Sequence, residues 1–185
     1  MNKVIALFLL FLISGCATPS KNLQSTIDDP EHNGMLLGTI SLEDRKFFAA
    51  GHYFYFANDS LRNVISEKEQ DYFFRKFSGK VKTDNRISIL NASPDFKEGD
   101  KWVYLFNLVR PAGAYSIYEV EIYSNSGTAQ SSIRVPVHIP FEIEPGKISY
   151  IGEINFKGKT GHIQVLDQRE RDRARFKEKA PDIDF

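Results

Sequence analysis

Between residues 131 and 144 apolar and polar side chains alternate without a break. Ile133, Val135, Val137, Ile139, Phe141 and Ile143 share one parity, and Arg134, Pro136, His138, Pro140, Glu142 and Glu144 share the other. A period of two belongs to a strand with one face buried and one wet, because successive side chains of extended backbone point to opposite sides. Proline has no amide hydrogen to give to a ladder, so Pro136 and Pro140 put this strand at a sheet edge or make it irregular.

The same signal recurs along the chain. Residues 101–109 and 114–123 are rich in Val, Ile, Leu and aromatics and flank Arg110-Pro111-Ala112-Gly113, the pattern of a hairpin. Glu144-Pro145-Gly146-Lys147 has Pro and Gly placed for a type II turn, with Gly146 at positive φ, and leads into 148–156. Lys157-Gly158-Lys159-Thr160-Gly161 turns again into 162–166. Earlier strands are expected at 35–42, 46–57, 72–77 and 86–90. The run Tyr53-Phe54-Tyr55-Phe56 is apolar on both parities, which predicts a central strand covered on both sides. Residues 60–70 suit a short helix or a loop, and 167–179 (DQRERDRARFKEK) a helix stopped by Pro181. With 42% hydrophobic and 26% charged residues, the composition is that of a globular chain, not a disordered or collagen-like one. The 24 Lys and Arg balance 24 Asp and Glu, so no cationic excess is present to displace counterions from nucleic acid.

The chain has 1 Cys, which excludes a disulfide framework and a Cys-rich zinc site. That cysteine closes a segment reading MNKVIALFLLFLISGC: one cation at Lys3, apolar residues from 4 to 13, then Ser14, Gly15 and Cys16. A helix of that apolar length covers about half of a ~30 Å hydrocarbon core, too little to span it. The layout is that of a secretory signal peptide. Its ending, Ile13-Ser14-Gly15-Cys16, resembles the lipobox of bacterial lipoproteins. The resemblance implies diacylglycerol on the Cys16 sulfur, cleavage before it and a third acyl chain on the new amine. Ala17, in place of the Asp that retains such proteins at the inner membrane, implies the outer membrane. The expected organisation is a signal peptide at 1–15, lipidated Cys16 with a flexible tether to residue 33, and a β domain over 34–185.

Arg110-Pro111-Ala112-Gly113-Ala114-Tyr115, then Phe141-x-Ile143-x-Pro145-Gly146-Lys147-x-x-Tyr150-x-Gly152 and a charged tail ending in Pro181, resemble a group of proteobacterial lipoproteins of uncharacterised function with a prealbumin-like β-sandwich. The same P-x-G-x-Y turn occurs in carboxypeptidase regulatory-like domains. The expected fold is therefore mainly β, a single antiparallel β-sandwich of the prealbumin-like kind with a short C-terminal helix. The resemblance implies a fold and supplies no catalytic residues.

No nucleophile elbow, phosphate loop, dinucleotide fingerprint, zincin helix or EF-hand loop occurs. His138 and Glu142 share a strand face but stand about 13 Å apart, too far for one metal ion. No metal or cofactor is expected. The 15 Phe, 8 Tyr and 1 Trp fall largely on alternating apolar faces and read as core. Trp102, Tyr115, Tyr123, Arg169 and Arg173 are the candidate partner contacts, although Tyr115 shares its parity with Glu119 and Glu121 while Tyr118, Val120 and Ile122 form the core face. The helix spreads its charges around its circumference, with Asp172 and Arg175 at i,i+3 pairing on the surface and Phe176 and Ala174 as a narrow apolar contact.

These readings describe an outer-membrane-anchored lipoprotein, a non-enzymatic binding or structural element of the cell envelope. Its partners are membrane lipid, through acylated Cys16, and an envelope protein. The alternatives are an accessory lipoprotein subunit of a secretion or envelope machine and an envelope hydrolase with an unrecognised site.

Overall fold

A computed structural model of the chain describes residues 23–43, 49–62, 86–90 and 92–185. The leader, Cys16, residues 46–48, residues 63–70 and the strand expected at 72–77 lie outside them. The protein is mainly β. In chain order its elements are β1 (Asn33–Glu43), β2 (Ala49–Asn58), α1 (Asp59–Arg62), β3 (Arg86–Leu90), β4 (Phe96–Glu98), β5 (Lys101–Pro111), β6 (Gly113–Asn125), β7 (Gln130–Ile143), β8 (Ile148–Lys157), β9 (His162–Leu166) and α2 (Arg169–Lys179). They form a five-stranded sheet in the order β4-β5-β1-β8-β9 and a four-stranded sheet in the order β3-β2-β6-β7. Both sheets feed one core: Leu36, Ile40, Tyr104, Phe106, Ile154 and Phe156 from the first meet Phe54, Phe56, Ile89, Ile117, Val120 and Ile143 from the second. Each such side chain gains roughly 1.5–3 kcal/mol on leaving water.

β7 is an edge strand, with Pro136 opposite Glu119 and Pro140 opposite Ser116. Its alternation is kept from Val135 onward, whereas Ile133 overhangs the core and stays 62% exposed. The β5–β6 and β7–β8 turns fall where the prolines and glycines put them, and Gly146 has φ +66.

Four expectations are corrected. The sheets are not wholly antiparallel, because β1 runs antiparallel to β5 but parallel to β8. β2 is interior to its sheet, yet while His52, Phe54 and Phe56 are buried on one face, Tyr53 and Tyr55 on the opposite face are half-buried. In β6 a bulge inserts Tyr118 between Ile117 and Glu119 and resets the parity. Tyr115 and Ile117 before it therefore face the same core as Val120 and Ile122 after it, and Tyr118 turns outward beside Tyr55. The fourth concerns the tether. Leu23 and Ile27 are docked on the outer face of the five-stranded sheet, and the Gln24 backbone exchanges hydrogen bonds with the Asn107 side chain, so residues 23–33 belong to the folded body.

That outer face holds a second, smaller core. Met35, Leu37 and Leu105 from the sheet pack with Phe176, Ala180 and Ile183 from α2 and the tail, joined by Phe96, Tyr150 and Phe185. β1 is consequently buried on both sides from Gly34 to Leu42. Alongside it, β8 gains a residue at a bulge next to Gly38, where Gly152 has φ +107 and a Cβ would stand 2.8 Å from the Leu166 carbonyl oxygen. Only glycine fits there without displacement. Among the described residues no helix is long and apolar enough to cross a membrane.

Candidate functional site

Two groups of polar side chains stand out, one sealed and one facing outward. The sealed group lies beneath α2. Thr39 and Ser41 alternate with Ile40 and Leu42 along β1, so they point to the helix side of the sheet, and the β8 bulge brings Glu153 and Asn155 onto the same side. Asp172 on the first turns of α2 is fully buried: Thr39 Oγ1 and Tyr150 OH each donate to its Oδ2 at 2.7 Å, and Arg171 donates to Oδ1 from Nε at 2.8 Å and Nη2 at 2.6 Å. Arg171 Nη1 also meets Glu98 at 2.7 Å and Glu153 Oε2 at 2.6 Å. Ser41 donates to Glu153 Oε1 at 2.5 Å, with Lys101 Nζ at 3.3 Å. Asn155 carries the network on to Ser41 and Glu43, and Gln164 donates to Asn155.

Electrostatics follow from this packing. Burial pushes the Glu153 carboxyl upward, but the Ser41 hydroxyl, the Arg171 guanidinium and Lys101 outweigh it, and the net shift is below the usual carboxylate value. Arg171 behaves conversely: desolvation works against its charge, and Asp172 and Glu153 more than restore it. The Tyr150 phenol is held well above its ordinary value, first by burial and then by its hydrogen bond to Asp172. The chemistry of this network is to clamp α2 onto the sheet, with Glu153 Oε2 held by its ion pair to Arg171 and, among the described residues, by no hydrogen bond.

The outward group lies on the exterior of the four-stranded sheet. α1 sits at one end, where Ser116 donates to Asp59 at 2.8 Å. Beyond it the register sets Arg86, Tyr55 and Glu119 in one row and Ser88, Tyr53, Glu121 and Arg134 in the next. The Arg86 guanidinium lies 4.4 Å over the Tyr53 ring, while Tyr53, Tyr55 and Tyr118 form a run of rings 6.3 and 6.4 Å apart. Tyr55 donates to Glu121 at 2.7 Å, and Arg134 stands 3.7 Å from Glu119. Burial, then the Glu121 acceptor, raise the Tyr55 phenol. Burial also raises the Glu119 carboxyl, against the pull of Arg134 and with the repulsion of Glu121. Half-buried tyrosines interleaved with both signs of charge suit stacking and hydrogen bonding to a partner.

The residues singled out from sequence do not converge. Trp102 on β5 is half-buried against the main core, with Lys97 Nζ 4.7 Å above its ring. Tyr115 is corrected from surface to core: it is 6% exposed, stacks on Phe141 at 5.5 Å and donates to the Pro111 carbonyl at 2.9 Å. Tyr123 is half-buried at the far end of the outward face, opposite Gly51 and Ser132. Arg169 and Arg173 are exposed on α2 and stack on Tyr150 at 4.9 Å and Phe185 at 5.7 Å. Cys16 lies outside the described residues. His52 is buried edge-on to Phe156, and His32, His138 and His162 are exposed. Among the described residues no group of three or more His, Cys, Asp or Glu is placed to hold a metal ion.

Sequence reasoning passed over Tyr53, Tyr55, Arg86, Glu119, Glu121 and Arg134, although Glu119 and Glu121 already shared a parity. The helix reading is corrected too: Asp172 does not pair with Arg175 on the surface but is buried, Arg175 pairs with Glu178 instead, and Ala174 is exposed. The i,i+4 spacing of Asp172 to Phe176 is the mark of the buried helix face.

No family model matches the chain, and no curated protein matches it. Among solved structures, a leucine-rich repeat protein from Bacteroides thetaiotaomicron shows a likeness with TM-score 0.35 and 16% identity. The match covers 68% of this chain and 14% of that one.

Proposed function

We propose that the protein is an outer-membrane-anchored lipoprotein whose body, a prealbumin-like β-sandwich, acts as a non-enzymatic binding element of the cell envelope. The leader ending in Ile13-Ser14-Gly15-Cys16, followed by Ala17, supports the anchor. One core fed by two sheets supports the sandwich. The observation that carries the binding role is the outward face of the four-stranded sheet, where Tyr53, Tyr55 and Tyr118 run beside Arg86, Glu119, Glu121 and Arg134. Anchorage raises the effective concentration of that face toward neighbouring envelope proteins, so weak contacts suffice.

In-cell crosslinking from a photoreactive residue at Arg134 tests this. Discrete envelope products are expected, lost in a Tyr53→Ala, Tyr55→Ala variant that keeps its circular dichroism spectrum and weakened in Cys16→Ser. Turnover of an envelope glycan or peptide by the protein, abolished by one change of an ionisable residue without unfolding, contradicts the binding role.

A further inference from the structure

We propose that the layer made by residues 23–27, α2 and the tail lies against the lipid surface, and that the Tyr53–Tyr55 face of the four-stranded sheet points away from it; this rests on the lipid-anchor reading above. Residues 23–27 are part of that layer. Leu23 and Ile27 share a core with Phe176, Ala180, Ile183 and Phe185 on the outer side of the five-stranded sheet. Gln24 is pinned there by Asn107, which accepts from its backbone N–H at 3.3 Å and donates to its carbonyl at 2.5 Å.

From Cys16 to Leu23 is seven residue steps (23 − 16), which at ~3.6 Å each reach at most about 25 Å whatever their conformation. The attachment layer is thereby held within that distance of the acyl chains. Packed sheets lie about 10 Å apart and a helix adds about as much again, so the outward face of the four-stranded sheet stands roughly 20 Å beyond the attachment layer. A short connection that leaves from one side of a layered body keeps that side toward its anchor. The occupant of the α2 layer is accordingly the headgroup surface, and the aromatic face is left for a partner.

Charge does not do the orienting. Arg169, Arg173, Lys177 and Lys179 are exposed on this layer, but so are Glu170, Asp182 and Asp184, and Arg175 pairs with Glu178 at 3.1 Å. With both signs present, the arrangement depends on the length of the connection and is insensitive to salt.

The test uses the acylated full chain in vesicles of phosphatidylethanolamine and phosphatidylglycerol that carry a headgroup nitroxide. A fluorophore is placed on one introduced thiol, Ala174→Cys on the exposed side of α2 or Ser132→Cys opposite Tyr123, Cys16 being blocked by its lipid. With a layer offset of roughly 20 Å, quenching at 174 should exceed that at 132 by about twofold or more, and high salt should leave the ratio unchanged. Inserting twelve Gly and Ser residues between Ser20 and Lys21 should bring the ratio close to one. Equal quenching without the insertion, stronger quenching at 132, or a preference for 174 that survives the insertion overturns the proposal. Vesicle flotation separates the two readings: protein that floats but shows equal quenching sinks the orientation alone, and protein that fails to float sinks the anchor together with it.

Discussion

At Asp172 four donor groups converge on a carboxylate with no exposure, and a neighbouring carboxylate, Glu153, is equally buried. Charges removed from water in this way are tolerated only when each is paired, and removing one partner leaves the others unsatisfied. The Glu153 carboxyl is more acidic in the folded chain than in the unfolded one, so the folded state binds less proton. Its contribution is full above the unfolded carboxylate value near 4.3 and fades as pH falls through the lower folded value. Glu153→Gln is expected to lower stability at pH 7 by about 2–4 kcal/mol, and the gap to wild type should shrink as pH drops below about 4. Urea midpoints at pH 7, 4 and 3 check this; a gap that widens toward acid contradicts the assignment. In the sequence only the i,i+4 spacing of Asp172 to Phe176 marks any of it. Asp172 sits in a run of mixed charge whose letters look solvated, and Glu153 reaches the network only because β8 is bulged.

Among the elements, those defined by local chemistry were legible and those defined by distant pairing were not. The alternation and prolines of β7 predict an edge strand, which it is, and the glycine of the β7–β8 turn predicts positive φ, which Gly146 has. The parallel pairing of β1 with β8 joins segments more than a hundred residues apart and leaves no local mark. The β6 bulge defeats a strict period of two, since one extra residue exchanges the faces, and so Tyr115 was assigned to the wrong side. Docking of residues 23–33 depends on two apolar side chains, Leu23 and Ile27, within a polar stretch. At this scale Gly146→Val is expected to cost of order 1–3 kcal/mol, because a β-branched residue is strained at φ +66 and its Cβ would lie 3.3 Å from the Pro30 carbonyl oxygen. His138→Ala, on an exposed strand position, should change the melting temperature little. Thermal melts of the two variants give the ranking, and the reverse order would assign His138 a structural role.

For the molecule as a whole, the two outer faces differ in kind. One is filled by the chain's own N-terminal segment, α2 and tail, clamped by a buried charge network. The other carries tyrosines and charged side chains and is the proposed binding face. Both roles presuppose that the body is held at a membrane through Cys16, and metabolic labelling with radioactive palmitate tests that most directly. Wild-type protein expressed in a Gram-negative host should take up label and migrate as the processed form. Cys16→Ser should take up none and retain its leader. Wild-type protein that incorporates no label, or a Cys16→Ser variant labelled as strongly as wild type, contradicts the account.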